Sequence, residues 1–131
     1  MASLAAIGIV SGDIAASCRF YRALGVGVAE PPDGEDHFEA TLPNGVRLMF
    51  DTEELIRKLH PDWRRPGEGH AMALAFECAS AAEVDETYAK VVGDGFTGRT
   101  EPYDAFWGQR YATVHDPDGN AVELFAALPV S

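Results

Sequence analysis

The sequence predicts an α+β fold in which two βαβββ modules follow one another, and three observations predict it. An apolar run leads into a helix-capping residue twice, at Asp13 and at Ser80; a tyrosine follows eight positions after each cap, Tyr21 and Tyr88; and three strand-like segments follow each helix. The length fits this plan, because 131 residues with 47% hydrophobic content supply one domain, or two small modules sharing a core.

The elements read in order. Leu4 to Val10 is a buried strand, and Asp13 caps a helix whose Ile14, Cys18, Tyr21 and Leu24 lie on one stripe before Gly25 ends it. A short extended piece at Val26 to Glu30 precedes a turn at Pro31-Pro32-Asp33-Gly34. Strands at His37 to Leu42 and Val46 to Phe50 are joined through Pro43-Asn44-Gly45 and close a first module over residues 1–50. Residues 51–69 read as a linker: Thr52 caps a short helix with Leu55, Ile56 and Leu59, and His60 to Gly69 has the Pro and Gly content of a loop. The loop holds Trp63, which leaves much apolar area wet unless it packs on the neighbouring module or on a ligand.

The second module, residues 70–131, repeats the order. A strand from Met72 to Cys78 leads into Ser80-Ala81-Ala82-Glu83, a capping box, and the helix carries Val84, Tyr88 and Val91 on one stripe until Gly93. Strands follow near Phe96 to Thr100, Arg110 to His115 and Ala121 to Ala126. Between the last two, Pro117 fixes φ, Gly119 supplies positive φ, and Asp116, Asp118 and Asn120 bond back to the backbone, so the run is a hairpin. Alternation along its second arm puts Ala121, Glu123 and Phe125 on one face and Val122 and Leu124 on the other.

Ten Lys and Arg against 21 Asp and Glu give a net charge of -11, which disfavours nucleic acid and anionic membrane surfaces and mildly favours cationic ligands at long range, with simple solubility as the plainer account of it. Cys18 and Cys78 read as reduced thiols in a chain large enough to need no disulfide. The apolar start lacks the basic and small-residue flanks of a signal peptide and reads as a strand in a cytoplasmic protein.

Paired βαβββ modules, the helix ending Phe20-Tyr21-Arg22-Ala23-Leu24-Gly25, and Asp116-Pro117-Asp118-Gly119-Asn120 followed by Glu123-Leu124 resemble the vicinal oxygen chelate superfamily. That superfamily holds glyoxalases, extradiol dioxygenases, fosfomycin-resistance enzymes and bleomycin-resistance proteins. The resemblance covers essentially the whole chain. It implies that each module curls a mixed sheet around a concavity, that two modules form a cleft, and that metalloenzyme members hold a divalent ion there. Its ligands come from the first and last strands of each module.

Strand parity locates those positions here. Ile7 and Ile9 face the helix, leaving Ala6 and Gly8 toward the cleft; Leu74 and Phe76 leave Ala73 and Ala75; Val46, Leu48 and Phe50 leave Arg47 and Met49. Only Glu123 matches a ligand position by residue type, whereas a catalytic divalent site takes about three protein donors. His70 lies an odd number of positions before Ala73 and faces the other way unless a bulge intervenes. His37 reaches the cleft face if Pro43-Asn44-Gly45 is a three-residue connection, and His60 and His115 read as surface histidines. For Glu123 the alternative role is structural, an ion pair with Arg47 or Arg110.

The reading that results is a metal-independent binding protein of the bleomycin-resistance type, a homodimer without a cofactor, sequestering an aromatic or cationic small molecule. Its site would comprise Arg47, Met49, Trp107, Tyr111, Thr113, Glu123 and Phe125, with Phe106 and Tyr103 on the segment entering the penultimate strand. Arg47 or Arg110 would orient the ligand, Glu123 would meet its positive or hydrogen-bond-donating group, and Trp107, Tyr111 and Trp63 would stack. Phe106-Trp107 has a second reading as a plug for a dimer or module seam. The rival is an enzyme of the same superfamily: a lyase, isomerase or dioxygenase with one divalent metal on Glu123 and His37 or His70, or a metal-free catalyst using Glu123 as base. Resemblance of fold does not choose between them.

Overall fold

Each helix begins where the sequence supplies an acceptor for its free N–H groups. In the computed structural model, which describes residues 1–67 and 72–129, Asp13 accepts from Ala16 N at 3.1 Å to open α1 (Ile14–Ala23). Thr52 accepts from Leu55 N to open α2 (Glu53–Leu59), and Ser80 accepts from Glu83 N to open α3 (Ala81–Gly93). The capping box at Ser80 closes one residue early, because the Glu83 carboxylate accepts from Ala79 N at 3.2 Å. Both long helices end alike. Gly25 at φ 105° and Gly95 at φ 95° follow the caps, with Val26 N bonding Tyr21 O and Phe96 N bonding Val91 O. The terminator of α3 is thus Gly95 rather than Gly93, which stays helical.

The chain folds as two compact units, Met1–Glu68 and Gly69–Ser131. In the first, β1 (Ala6–Ser11), β2 (His37–Thr41) and β3 (Arg47–Thr52) form a sheet in the order β1-β3-β2, with β1 parallel and β2 antiparallel to β3. Alternation sends Leu48 and Phe50 into the core with Cys18, Phe20 and Tyr21, all 0% exposed. Tyr21 lies 4.9 Å from Phe20 and 5.5 Å from Phe50 between ring centroids. Ser11 and Ser17 share a buried 2.7 Å hydrogen bond that ties the end of β1 to α1.

Residues 26–30 are not a strand. Val26 and Val28 are buried, but the Val28 carbonyl accepts from the Arg22 side chain at 2.9 Å, and Arg22 also ion-pairs with Glu30. A guanidinium serves this backbone where a neighbouring strand would otherwise do so, and the first sheet has three strands instead of four. The α2 segment packs on β1 and β3 of the same unit. Beyond it the guanidinium groups of Arg57 and Arg65 sit 5.4 and 5.7 Å from the Trp63 ring.

In the second unit, β4 (Ala73–Glu77), β5 (Thr97–Ala105), β6 (Gln109–His115) and β7 (Ala121–Ala127) form a sheet in the order β4-β7-β6-β5. β4 is parallel to β7, and the β5–β6 and β6–β7 pairs are antiparallel. α3 packs across β5, β6 and β7, covering the face that carries Val114, Val122 and Leu124. β5 runs five residues past the Thr100 end that the sequence suggests. Pro102 is tolerated because β5 is an edge strand and the register shifts between Thr100 and Tyr103. A side chain at Gly98 would collide with the Tyr88 hydroxyl, so the second tyrosine of the repeat requires a strand residue without Cβ.

Both cysteines are free and buried, and burial pushes both thiols up from their ordinary pKa. No helix among the described residues is long and apolar enough to cross a membrane.

Candidate functional site

Each sheet carries its polar and small side chains on the face opposite its core. In the first unit that face holds Ala6 and Gly8 from β1, Arg47, Met49 and Asp51 from β3, and His37, Glu39 and Thr41 from β2. Register sets Met49 beside Gly8 and Glu39, and Asp51 beside His37. His37 belongs here because Leu42 N bonds Val46 O and Gly45 takes φ 88°, which makes Pro43-Asn44-Gly45 a three-residue connection.

The His37 ring bonds Asp51 at 2.5 Å and Glu39 at 2.6 Å, and Arg47 bonds Glu39 at 2.8 Å. In the resulting chain, Asp51, His37, Glu39 and Arg47, acidic and basic side chains alternate. The Asp51 and then the Glu39 hydrogen bond hold the His37 pKa above its ordinary value, while His37 and then Arg47 hold the Glu39 carboxyl below its own. Asp51 and Glu39 escape notice in the sequence because neither stands in a motif; only the three-residue connection shows that they flank His37. His70 lies outside the described residues.

In the second unit the open face holds Tyr111 and Thr113 from β6 and Glu123 and Phe125 from β7, all half-buried, beside exposed Ala73 and Ala75 of β4. Glu123 lies between Ala75 and Thr113 in the ladder, and Tyr111 lies between Phe125 and Tyr103. The register shift in β5 is what brings Tyr103 to this face: Thr100 pairs with Thr113 and Tyr103 with Tyr111, although the two β5 residues are an odd number apart. Tyr103 is accordingly a strand residue, not part of the approach to β6.

Phe106-Trp107-Gly108 is the three-residue connection from β5 to β6, with Gly108 at φ 90°. It repeats the geometry of Pro43-Asn44-Gly45. The indole of Trp107 donates to the Gln109 side chain at 2.7 Å, and its ring lies 5.3 Å from Tyr111 and 6.5 Å from Tyr103, while Tyr103 and Tyr111 are 6.0 Å apart. Gln109 was legible as a face-mate of Tyr111 by alternation but carries no signal of its own.

Both arginines considered as ion-pair partners of Glu123 bond other carboxylates within their own units. Arg47 bonds Glu39, while Arg110 makes a two-pronged contact with Asp85 of α3 and a third bond to Asp104. The partner of Glu123 is Tyr111, whose hydroxyl bonds it; burial and then the Glu123 carboxylate push the Tyr111 pKa far above its usual value, so this hydroxyl remains a donor. Arg110, adjacent to Tyr111 on β6, is directed to the opposite face and does not line this one.

At the positions where the resemblance places metal ligands, the described residues supply Ala6, Gly8, Arg47, Met49, Ala73, Ala75 and Glu123. One carboxylate does not fit a divalent ion that takes about three protein donors. Among the described residues no group of three or more His, Cys, Asp or Glu side chains is arranged to hold a metal.

A family model described as Glyoxalase/Bleomycin resistance protein/Dioxygenase superfamily matches residues 3–124. No curated protein sequence matches the chain. Among solved structures, a glyoxalase/bleomycin resistance protein/dioxygenase family enzyme from Burkholderia phytofirmans PsJN is 20% identical with a TM-score of 0.83, over 97% of this chain and 100% of that one. A glyoxalase-related enzyme from Fulvimarina pelagi is 22% identical with a TM-score of 0.81, over 96% and 88%. A glyoxalase/bleomycin resistance protein/dioxygenase from Nocardioides is 25% identical with a TM-score of 0.77, over 100% and 87%.

Proposed function

Since the chain belongs to the Glyoxalase/Bleomycin resistance protein/Dioxygenase superfamily, we propose that within it the protein is a metal-independent binder that sequesters a flat aromatic, positively charged small molecule without altering it. The observation that carries the reading is the open face of the second sheet, where Tyr103, Trp107 and Tyr111 stand beside a carboxylate that accepts only a tyrosine hydroxyl among its described contacts. Aromatic rings offer stacking area, and Glu123 offers one fixed anionic anchor. The donor set at the ligand positions supports binding without a metal, and the net charge of -11 favours arrival of a cation. The reading includes a homodimer in a reducing, cytoplasmic setting, consistent with two unpaired thiols.

The experiment is a titration of dialysed protein with planar aromatic cations, followed by tryptophan fluorescence and calorimetry. Saturable quenching is expected, with loss of most of the signal in Trp107→Phe and of about 1–3 kcal/mol of binding in Glu123→Gln, which keeps shape and removes the anion. The same protein offered zinc, nickel, manganese or ferrous iron is expected to retain none stoichiometrically. A tight one-to-one metal lost in Glu123→Ala overturns the reading in favour of the enzyme.

A further inference from the structure

The three aromatic side chains of the open face are arranged more specifically than a stacking platform needs. Tyr103 and Trp107 meet at 89°, Trp107 and Tyr111 at 79°, and Tyr103 and Tyr111 at 75°. Three planes that are nearly perpendicular in pairs bound a corner. A cation seated about 4 to 4.5 Å from each of three such ring faces requires centroids roughly 6 Å apart, √2 times that distance. The separations are 6.5, 6.0 and 5.3 Å, the Trp107–Tyr111 pair being the tightest wall.

Two further observations bear on the occupant. Trp107 and Tyr103 are 47% and 39% exposed, so these rings are not sealed beneath other side chains. The rings are also held in place: Trp107 Nε1 is tied to Gln109, Gly108 fixes the turn, and the Tyr111 hydroxyl is tied to Glu123. Ordering these side chains beforehand reduces the entropy lost on binding.

We propose that this corner seats a quaternary or heavily methylated ammonium group, with the Glu123 carboxylate beside Tyr111 as its counter-charge. The inference rests on the function proposed above and narrows its ligand class. Ring faces attract charge but accept hydrogen bonds poorly, so a primary ammonium entering the corner would leave N–H groups without adequate acceptors. A methylated ammonium has few or no N–H groups to satisfy and spreads its charge over methyl groups that pack on the rings. The corner therefore selects for methylation as well as for charge.

The test compares four probes by calorimetry and tryptophan fluorescence: choline, its neutral carbon analogue 3,3-dimethyl-1-butanol, ethanolamine, and proflavine, which is a planar cation without methyl groups. Choline is expected to bind roughly tenfold or more tightly than either the neutral analogue or ethanolamine. That preference is expected to disappear in Trp107→Leu and in Tyr103→Leu, each checked for fold by circular dichroism. Should either variant fail to fold, the ranking of the probes on the unaltered protein still decides. Equal binding of choline and its neutral analogue, or of choline and ethanolamine, overturns the corner. Proflavine binding that depends on Trp107 without choline binding overturns this inference and leaves the proposed function standing, whereas no binding by any of the four overturns both.

Discussion

Replacing Phe50 with Ala is expected to lower the stability of the protein by about 3–5 kcal/mol, the usual loss when a buried aromatic is truncated and its cavity cannot collapse. Phe50 is 0% exposed on β3, the central strand of the first sheet, with Ile9 on one side and Phe38 on the other. Its ring packs on Tyr21, which packs on Phe20, so the strand is fastened to α1 through a chain of rings. Small modules bury a modest fraction of their surface, and a loss of this size rivals the stability of a whole domain. Urea unfolding followed by far-UV circular dichroism measures it. A shift below about 1.5 kcal/mol would mean that neighbouring side chains refill the space.

The second large effect is expected at Asp116. This carboxylate is 3% exposed, and its oxygens accept from Asp118 N at 2.9 Å, Asn120 N at 2.9 Å and the Asn120 side chain at 2.8 Å. Asp116→Ala strips the acceptor from two part-buried backbone donors and is expected to cost about 2–4 kcal/mol. Asp116→Asn keeps one carbonyl acceptor and is expected to cost less. The consequence reaches the open face, because the β6–β7 register that places Thr113 beside Glu123 and Phe125 beside Tyr111 starts from this turn. A slip of one residue would send those side chains toward α3. Unfolding measurements together with the exchange rates of the Asp118 and Asn120 amides test the argument; protected amides and unchanged stability in Asp116→Ala defeat it.

The parts of this molecule that follow from short-range chemistry were legible in the sequence. Alternation placed Leu48 and Phe50 inward and Glu123 and Phe125 outward, and Asp13, Thr52 and Ser80 cap helices because each presents an oxygen one turn ahead of an amphipathic run. What escaped depends on which distant group reaches a given atom. Residues 26–30 alternate like a strand but lose pairing to the Arg22 guanidinium. β5 continues past Pro102 because a register shift at a sheet edge absorbs the missing donor. The long side chains of Arg47, Arg110, Arg57 and Arg65 found acidic or aromatic partners that no periodicity encodes. The same limit applies to the open face: spacing named Tyr111 and Trp107, whereas the mutual angles of the rings follow from the Gly108 turn and the β5 irregularity.

The His37 array makes folding of the first unit a reaction that takes up a proton. In the unfolded chain His37 titrates near 6.5, and in the folded chain its pKa is raised by Asp51 and Glu39. Between those two values the native state holds more protons than the unfolded state, so stability falls as pH rises. The contribution is complete below about 6.5 and is lost as pH passes the folded value. Its ring is 41% exposed, so solvent screens the effect. Glu39 works in the opposite sense, its lowered pKa adding stability above its ordinary 4.5 that is lost toward acid. Calorimetry near pH 7 in buffers of different ionisation enthalpy is expected to return different apparent heats of folding, because each buffer supplies the proton at its own enthalpy. In His37→Gln that dependence should vanish for this site, leaving the heat of folding free of the proton that Asp51 and Glu39 otherwise recruit.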